Sequence, residues 1–231
     1  MKIEQKLIPG TLIRRYKRFL ADVELENGEK ITAHCPNSGS MMGCDSPGSH
    51  VLLSQHDGKK RKYVHTWEMV KVNSVWVGIN TLVPNRLIAE AIISGEIPEL
   101  SGYPQLKREI RVGTQSRLDL LLSDDENLCY VEIKNVTLVE NSKALFPDAV
   151  TTRGRRHLLE LLQLKQAGHR AVIFFLIQRM DGEVFAPADN IDPEYGKTLR
   201  EVFSAGVEIL PYRAHVTPTE ITIDRKLPFQ L

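Results

Sequence analysis

The sequence predicts two domains of different class: an all-β barrel of the OB type over residues 1–82, then an α/β domain with a mixed sheet over residues 83–231. Three observations predict them. Five or so short strand patterns punctuated by turns fill the first ~75 residues, the density of a small closed barrel. After Pro84 the pattern becomes helix, three strands, helix, strand, the order of an α/β core. The run Ala171-Val-Ile-Phe-Phe-Leu-Ile177 reads as a buried strand by its length and β-branched content.

Taken in order, Pro9-Gly10 opens a run from Thr11 to Glu26 that is one long bent strand or two. Asn27-Gly28 is a hairpin turn, because both residues tolerate the positive φ such turns need, and Ile31 to Cys35 returns from it. Pro36 to Gly43 is a loop rich in small residues; Val51 to Ser54 is a strand, Lys59 to Lys62 a basic turn, and Tyr63 to Lys71 a further strand. In the second domain Asn85 is placed to cap a helix running through Leu87, Ile88, Ala91 and Ile92 to a stop at Gly95. Strands follow near residues 105–112, 116–122 and 128–136. Thr152 to Ala167 is a helix with an apolar stripe at Leu158, Leu159, Leu161 and Leu162, ended by Gly168. After the buried strand, Asp192-Pro193 caps and opens a helix to Gly206, and strands near 207–213 and 220–225 close the chain.

Composition narrows the function classes. A net charge of +1 excludes a bulk polycation, but residues 1–80 hold 12 Lys and Arg against 8 Asp and Glu, a surplus of four, while the remainder carries a deficit of three. A basic front and an acidic rear suit a binding module joined to a carboxylate site. Met1-Lys-Ile-Glu-Gln-Lys6 lacks the apolar core of a signal peptide, and no apolar run approaches membrane-spanning length. Three cysteines fit reduced thiols in a cytoplasm better than a disulfide frame. His34, Cys35, Cys44 and His50 match no usual zinc spacing, so a structural loop is the preferred reading there.

The segment with most chemistry in it is a hairpin, Arg117-Leu-Asp-Leu-Leu-Leu122, a turn at Asp124–Asn127, then Tyr130-Val-Glu-Ile-Lys134. Strand alternation puts Glu132 and Lys134 on one face, with Val131 and Ile133 toward a core. Leu118, Leu120 and Leu122 share one face and leave Asp119 on the other. With the loop at 124–127, Asp119 falls opposite Glu132, on the same side of the sheet. Two opposed carboxylates repel unless a cation lies between them. Two hard oxygen ligands beside an ammonium are what magnesium-assisted phosphodiester cleavage needs. The competing reading is a solvated ion-pair cluster on an exposed hairpin face.

Cations cluster in three places. Arg14, Arg15, Lys17 and Arg18 interleave with Tyr16 and Phe19; either these grip nucleic-acid backbone with base stacking, or the aromatics are core and the cations solvate the other face. Lys60 and Arg61, inside the basic turn, are either solubilising or in contact with phosphate. Arg153, Arg155 and Arg156 stand at the start of the 152–167 helix, where the helix dipole disfavours cations; an anion there would relieve the mismatch.

Arg15 to Val23, His34 to Met41, Lys60 to Tyr63, Val131 to Thr137 and Phe146 to Thr151 together resemble the bacterial and archaeal sugar fermentation stimulation protein A family, over Pro9 to about Leu210. The resemblance implies an OB-like barrel followed by a restriction-endonuclease-like domain of the PD-(D/E)xK nuclease type, with non-specific DNA binding and a link to regulation of maltose metabolism. The signature acid of that type corresponds to Asp119, although Leu118 stands where a proline is usual, and its Glu-x-Lys to Glu132 and Lys134. On that basis Asp119, Glu132 and Lys134 are the expected catalytic residues. Asp119 and Glu132 would hold Mg²⁺ or Mn²⁺ with the Ile133 carbonyl, and Glu90 from the first helix, or else Glu109, would supply a third acid. Asn135 and Thr137 continue the hairpin and either touch metal-bound water or phosphate or are structural. The alternative is a DNA-binding regulatory factor without catalysis. A sugar or nucleotide enzyme lacks support, since no Gly-rich phosphate loop is present. DNA is the expected partner, and homo-oligomerisation is left open.

Overall fold

The computed structural model describes residues 1–56, 62–112 and 116–231; Lys60 and Arg61 of the basic turn lie outside these. In the first domain β1 (Ile8–Tyr16), β2 (Leu20–Leu25), β3 (Lys30–His34), β4 (His50–Gln55) and β5 (His65–Val72) are joined antiparallel, and a parallel bridge between His34 and Thr66 closes β3 onto β5. The result is a closed five-strand barrel of the OB type. The Thr11–Glu26 run divides into two strands at a tight turn where Lys17 and Arg18 take φ of 50° and 64°. A sixth strand, β6 (Val75–Gly78), extends the wall beyond β5; it was not legible, because its Asn73-Ser74 turn carries no glycine.

Leu12, Val23, Leu53, Trp67, Val70 and Val77 fill the barrel. Leu52 and Met69, paired across β4 and β5, point outward and join a second core instead. A wall apolar on both faces explains why Val51-Leu52-Leu53 shows no alternation. At roughly 1.5–3 kcal/mol per fully buried side chain, Leu7, Leu52 and Met69 make the domain junction part of the fold.

The second domain holds a six-stranded mixed sheet in the order β15-β14-β12-β9-β8-β7, formed by β7 (Gln105–Val112), β8 (Ser116–Ser123), β9 (Leu128–Val136), β12 (Arg170–Ile177), β14 (Glu208–Val216) and β15 (Ile221–Lys226). Strand β12 is parallel to both β9 and β14. Helix α1 (Val83–Ile93) and the barrel residues cover one face; α2 (Thr152–Gln166) and α3 (Pro193–Ser204) cover the other. Strands β10 (Leu138–Glu140), β11 (Lys143–Phe146) and β13 (Val184–Pro187) form a small separate sheet, too short to register as periodic patterns.

Three sequence expectations need correction. Helix α1 begins before Asn85, at Val83 with Pro84 in its first turn, and its cap position, Leu82, makes no side-chain bond; the Asn85 amide is used elsewhere. Leu159 of the α2 stripe is half exposed, and His157 is buried in its place. Leu118 does not share a face with Leu120 and Leu122: it packs with α2 and α3, they with α1. The β8–β9 ladder runs from Ser123 only to Leu120, and opposite Asp119 on β7 stands Glu109 with φ 55°. The sheet therefore opens at Asp119, and strand alternation does not continue through it.

Among the described residues no helix is long and apolar enough to cross a membrane. Cys35, Cys44 and Cys129 are free and buried, and burial pushes the thiols of Cys44 and Cys129 up to about 11 and about 12. Since the thiolate is the reactive form, a disulfide-exchange reagent at pH 8 is expected to label none of the three in the native protein and all three in denaturant. Rapid native labelling of Cys44 or Cys129 would show that these cores are looser than described.

Candidate active site

The opening of the sheet at Asp119 exposes one carboxylate, and the following strand supplies the next. Asp119 Oδ2 accepts a hydrogen bond from the Ile133 N–H at 2.8 Å, and its Oδ1 accepts one from Asn85 Nδ2 at 2.7 Å. Burial first, and the Glu132 charge second, push Asp119 up to about 6 despite these donors. Glu132 is only 3 % exposed. Its Oε1 receives Lys134 Nζ at 2.6 Å and also bonds His157 Nδ1. Burial pushes the Glu132 carboxyl up, but Lys134 and His157 outweigh it and hold the group below the ordinary range. Its second oxygen, Oε2, is buried with no hydrogen-bond partner. Glu132 is thus buried, and Asp119 and Lys134 are half-buried beside it, which removes the reading of the group as a solvated surface cluster.

These groups floor a cleft of about 760 Å³ between the domains. One wall is the barrel loop Asn37–Ser40, the other the segment Phe146–Arg153. Arg15 ties the barrel wall down: its guanidinium donates to the carbonyls of Arg18, Asn37, Gly39 and Ser40 at 2.7–3.2 Å. Met41 N–H donates to Asp148 across the cleft at 2.8 Å, joining the walls. A second cavity of about 520 Å³ meets the same carboxylates from the other side, lined by Glu109, Arg117, Arg153 and Arg156.

The predicted residues separate accordingly. Asp119, Glu132 and Lys134 converge. Glu90 does not: it pairs with Arg86 at 2.7 Å on an exposed face of α1, five residues beyond Asn85 and so turned away from the cleft. Glu109 lines the second cavity beside Asp119. Among the described residues no three His, Cys, Asp or Glu side chains gather as a ready metal cage. Of the cations, Arg18 and Arg153 line the cleft and Arg156 the second cavity. Arg15 also lines the cleft, but it is committed to carbonyls rather than free for phosphate. Arg14 pairs with Asp22 at 2.8 Å and lies over the Tyr16 ring. Lys17 sits exposed at the turn, and Arg155 turns to Glu194. The start of α2 is partly satisfied within the protein, as Thr151 Oγ1 caps the Gly154 N–H. Phe19 is half exposed, so it is not core.

Sequence reasoning missed His157 and Asn85. His157 lies one turn after Arg153, whose Nε approaches His157 Nε2 at 3.5 Å. Its signal was a histidine inside an apolar helical stripe. Asn85 carried the signal of a cap, which masked its reach to Asp119.

A closed OB barrel, a mixed-sheet α/β domain and a buried acid–acid–lysine cleft between them define a class of two-domain protein. Two family models match it: the SfsA N-terminal OB domain over residues 13–79 and the sugar fermentation stimulation protein RE domain over residues 82–220. The chain belongs to the sugar fermentation stimulation protein family. It is 59 % identical over 231 residues, the whole of both chains, to the sugar fermentation stimulation protein homolog of Citrifermentans bemidjiense. It is 53 % identical to that of Thioalkalivibrio sulfidiphilus, over all of this chain and 98 % of that one. Among solved structures it is similar to Pyrococcus furiosus SfsA in complex with Ca²⁺, at 29 % identity and a TM-score of 0.92, covering all of this chain and 98 % of the other.

Two stability predictions follow from this geometry. A carboxyl whose folded pKa is raised destabilises the fold above that pKa and costs nothing below its unfolded value. Asp119→Asn is therefore expected to stabilise the metal-free protein by about 1–2 kcal/mol at pH 7.5, a gain lost as pH falls from about 6 toward 4. Urea melts in EDTA at several pH values measure it; a loss of stability at pH 7.5 would mean that Asp119 is held favourably as an anion. Arg15→Ala is expected to cost about 2–3 kcal/mol through several charge-assisted bonds to loop carbonyls, two of them part-buried, whereas Arg14→Ala, in an exposed pair, is expected to cost clearly less. Equal costs would deny Arg15 its role in the cleft wall.

Proposed function

We propose that this protein is a divalent-metal-dependent nuclease that hydrolyses phosphodiester bonds of DNA with little regard to sequence. The observation that carries the reading is the buried Glu132 carboxylate, whose Oε2 has no partner, facing the same two cavities as Asp119. A buried acceptor without a donor is costly, and a hard cation shared with Asp119 would satisfy it. The donor set, two carboxylates and a backbone carbonyl with water, suits Mg²⁺ or Mn²⁺. The Pyrococcus furiosus relative is a Ca²⁺ complex, and Ca²⁺ takes the same class of ligand. Bound there, the ion would supply Lewis-acid polarisation of phosphate and water.

The chain's own residues would do the rest. His157 holds Glu132 through Nδ1 and fixes which oxygen faces the cleft, as outer-layer partners orient ligands elsewhere. Asn85 and the Ile133 N–H set the rotamer of Asp119. Lys134, now on Glu132 Oε1, can release that oxygen and donate to the water or to a phosphate oxygen as charge develops. Arg18 and Arg153 would hold flanking phosphates, which makes binding salt-dependent. A second reading, a DNA-binding regulatory factor without cleavage, draws on one observation: α1 presents the Asn85 amide to Asp119 rather than a third carboxylate. The family's name attaches either activity to sugar fermentation, and regulation of maltose metabolism is the link proposed here.

Labelled DNA incubated with Mg²⁺ or Mn²⁺ is expected to be cut by the wild type. Lys134→Ala should lower cleavage by roughly 10² or more, and Asp119→Asn should abolish it together with metal binding seen by calorimetry. DNA affinity in EDTA should persist in both variants. No metal-stimulated cleavage of any DNA form, with binding intact, would leave the regulatory reading.

A further inference from the structure

We infer that the cleft takes a single strand of nucleic acid rather than a duplex, and that the strand continues onto the barrel through a second nucleotide subsite walled by His34, His56, Lys62 and Tyr63. The chemistry of the ligand, a polynucleotide, rests on the proposed function; its single-strandedness and its path rest on separate observations. Glu132 is almost wholly buried at the floor of the cleft. The cleft's ~760 Å³ lies within the range that encloses a drug-sized ligand, room for about one or two nucleotides. A scissile phosphate on a flexible strand can descend between the walls; one held in a stiff double helix is kept out by the partner strand.

The rim carries side chains that a duplex has no use for. Phe19, directly after the cleft residue Arg18, is 51 % exposed; Val150, on the opposite wall, is 74 % exposed; Leu82, directly after the cleft residue Thr81, is 73 % exposed. Large apolar groups around one opening, beside Arg18 and Arg153, match a ligand that shows base faces and phosphates together. Only an unpaired strand does so.

The path continues on the barrel. A cavity of about 380 Å³ holds His34, His56, Lys62 and Tyr63. It abuts the cleft along two chain segments: Pro36 and Leu82 line it, while their neighbours Asn37 and Thr81 line the cleft. Lys62 Nζ lies 5.5 Å from the Tyr63 ring centroid, pairing a cation with an aromatic face as a nucleotide's phosphate and base require. The cavity with Arg117 and Arg156 shares Asp119, Glu132, Arg153 and His157 with the cleft. The cleft thus neighbours the barrel cavity in sequence at two places and shares the acid pair with the other cavity.

The test is fluorescence anisotropy in EDTA, so that binding is read without metal or cleavage, using ~4- and ~16-nucleotide single strands, in DNA and RNA arms, and the ~16-base-pair duplex. The long strand of either sugar is expected to bind about tenfold or more tightly than the duplex. Tyr63→Ala should weaken the long strand about tenfold and leave the short one unchanged, Tyr63→Phe should restore it, and Phe19→Ala should weaken both strands. Thermal melts confirm that each variant is folded. A duplex bound as tightly as the long strand, or a folded Tyr63→Ala variant with unchanged long-strand affinity, would overturn the inference. Single-strand preference without any metal-dependent cleavage would sink the nuclease reading and support this one. Cleavage with duplex preference would do the reverse.

Discussion

The rest of the structure is arranged around one buried anion, the Glu132 carboxylate. An isolated carboxylate at that depth would neutralise or unfold its surroundings, and it stays charged because Lys134 and His157 converge on a single oxygen. Each partner has its own requirement. Lys134 must share a strand face with Glu132, which is a matter of alternation along β9. His157 must arrive from α2, which packs Leu158 and Leu161 into the core beneath it. The same arrangement leaves Oε2 without a donor, so the stability of the carboxylate and its readiness for a ligand have one origin.

The domain junction imposes the second constraint. Leu7, Leu52 and Met69 of the barrel belong to the core under α1, and the Gly78 N–H donates to the Gln178 carbonyl at 2.9 Å. A side chain at Gly78 would bring a Cβ to 2.5 Å from Gln178 Oε1, so the close approach depends on glycine. Gln178 Nε2 in turn donates to Asn135 Oδ1 at 2.7 Å, one residue from Lys134. The cleft is therefore not a gap between two loosely tethered bodies. Its walls are set by the hydrophobic packing that joins the domains, with Arg15 fixing the loop that overhangs the floor.

Cost is spread unevenly through the site. Asp119 is held as an anion against burial and against Glu132, and its donors only partly compensate. Strain stored in this way is common where binding will later release it. Glu109, with φ 55° opposite Asp119, is the backbone counterpart: the ladder is broken where the carboxylate needs space.

The sequence by itself determined the two-domain order, the β8–β9 register from Leu120 to Ser123, the face shared by Glu132 and Lys134, and the caps at Asp192 and Gly168. Each of these follows from local period or turn chemistry, which a few adjacent residues specify. Residue-pattern reasoning could not place Glu90 or Asn85, because a helix face is assigned by what packs against it, and α1 turns Asn85 inward and Glu90 out. Nor could it separate Arg14 from Arg15, adjacent cations of which one meets solvent and the other the nearby Arg18 carbonyl and three carbonyls of the distant loop at 37–40. His157 looked like one more residue in a helical stripe until α2 was laid against β9. Only the tertiary structure decided these, since they depend on contacts between residues tens of positions apart, where burial and partner, not residue type, set what a charged group does.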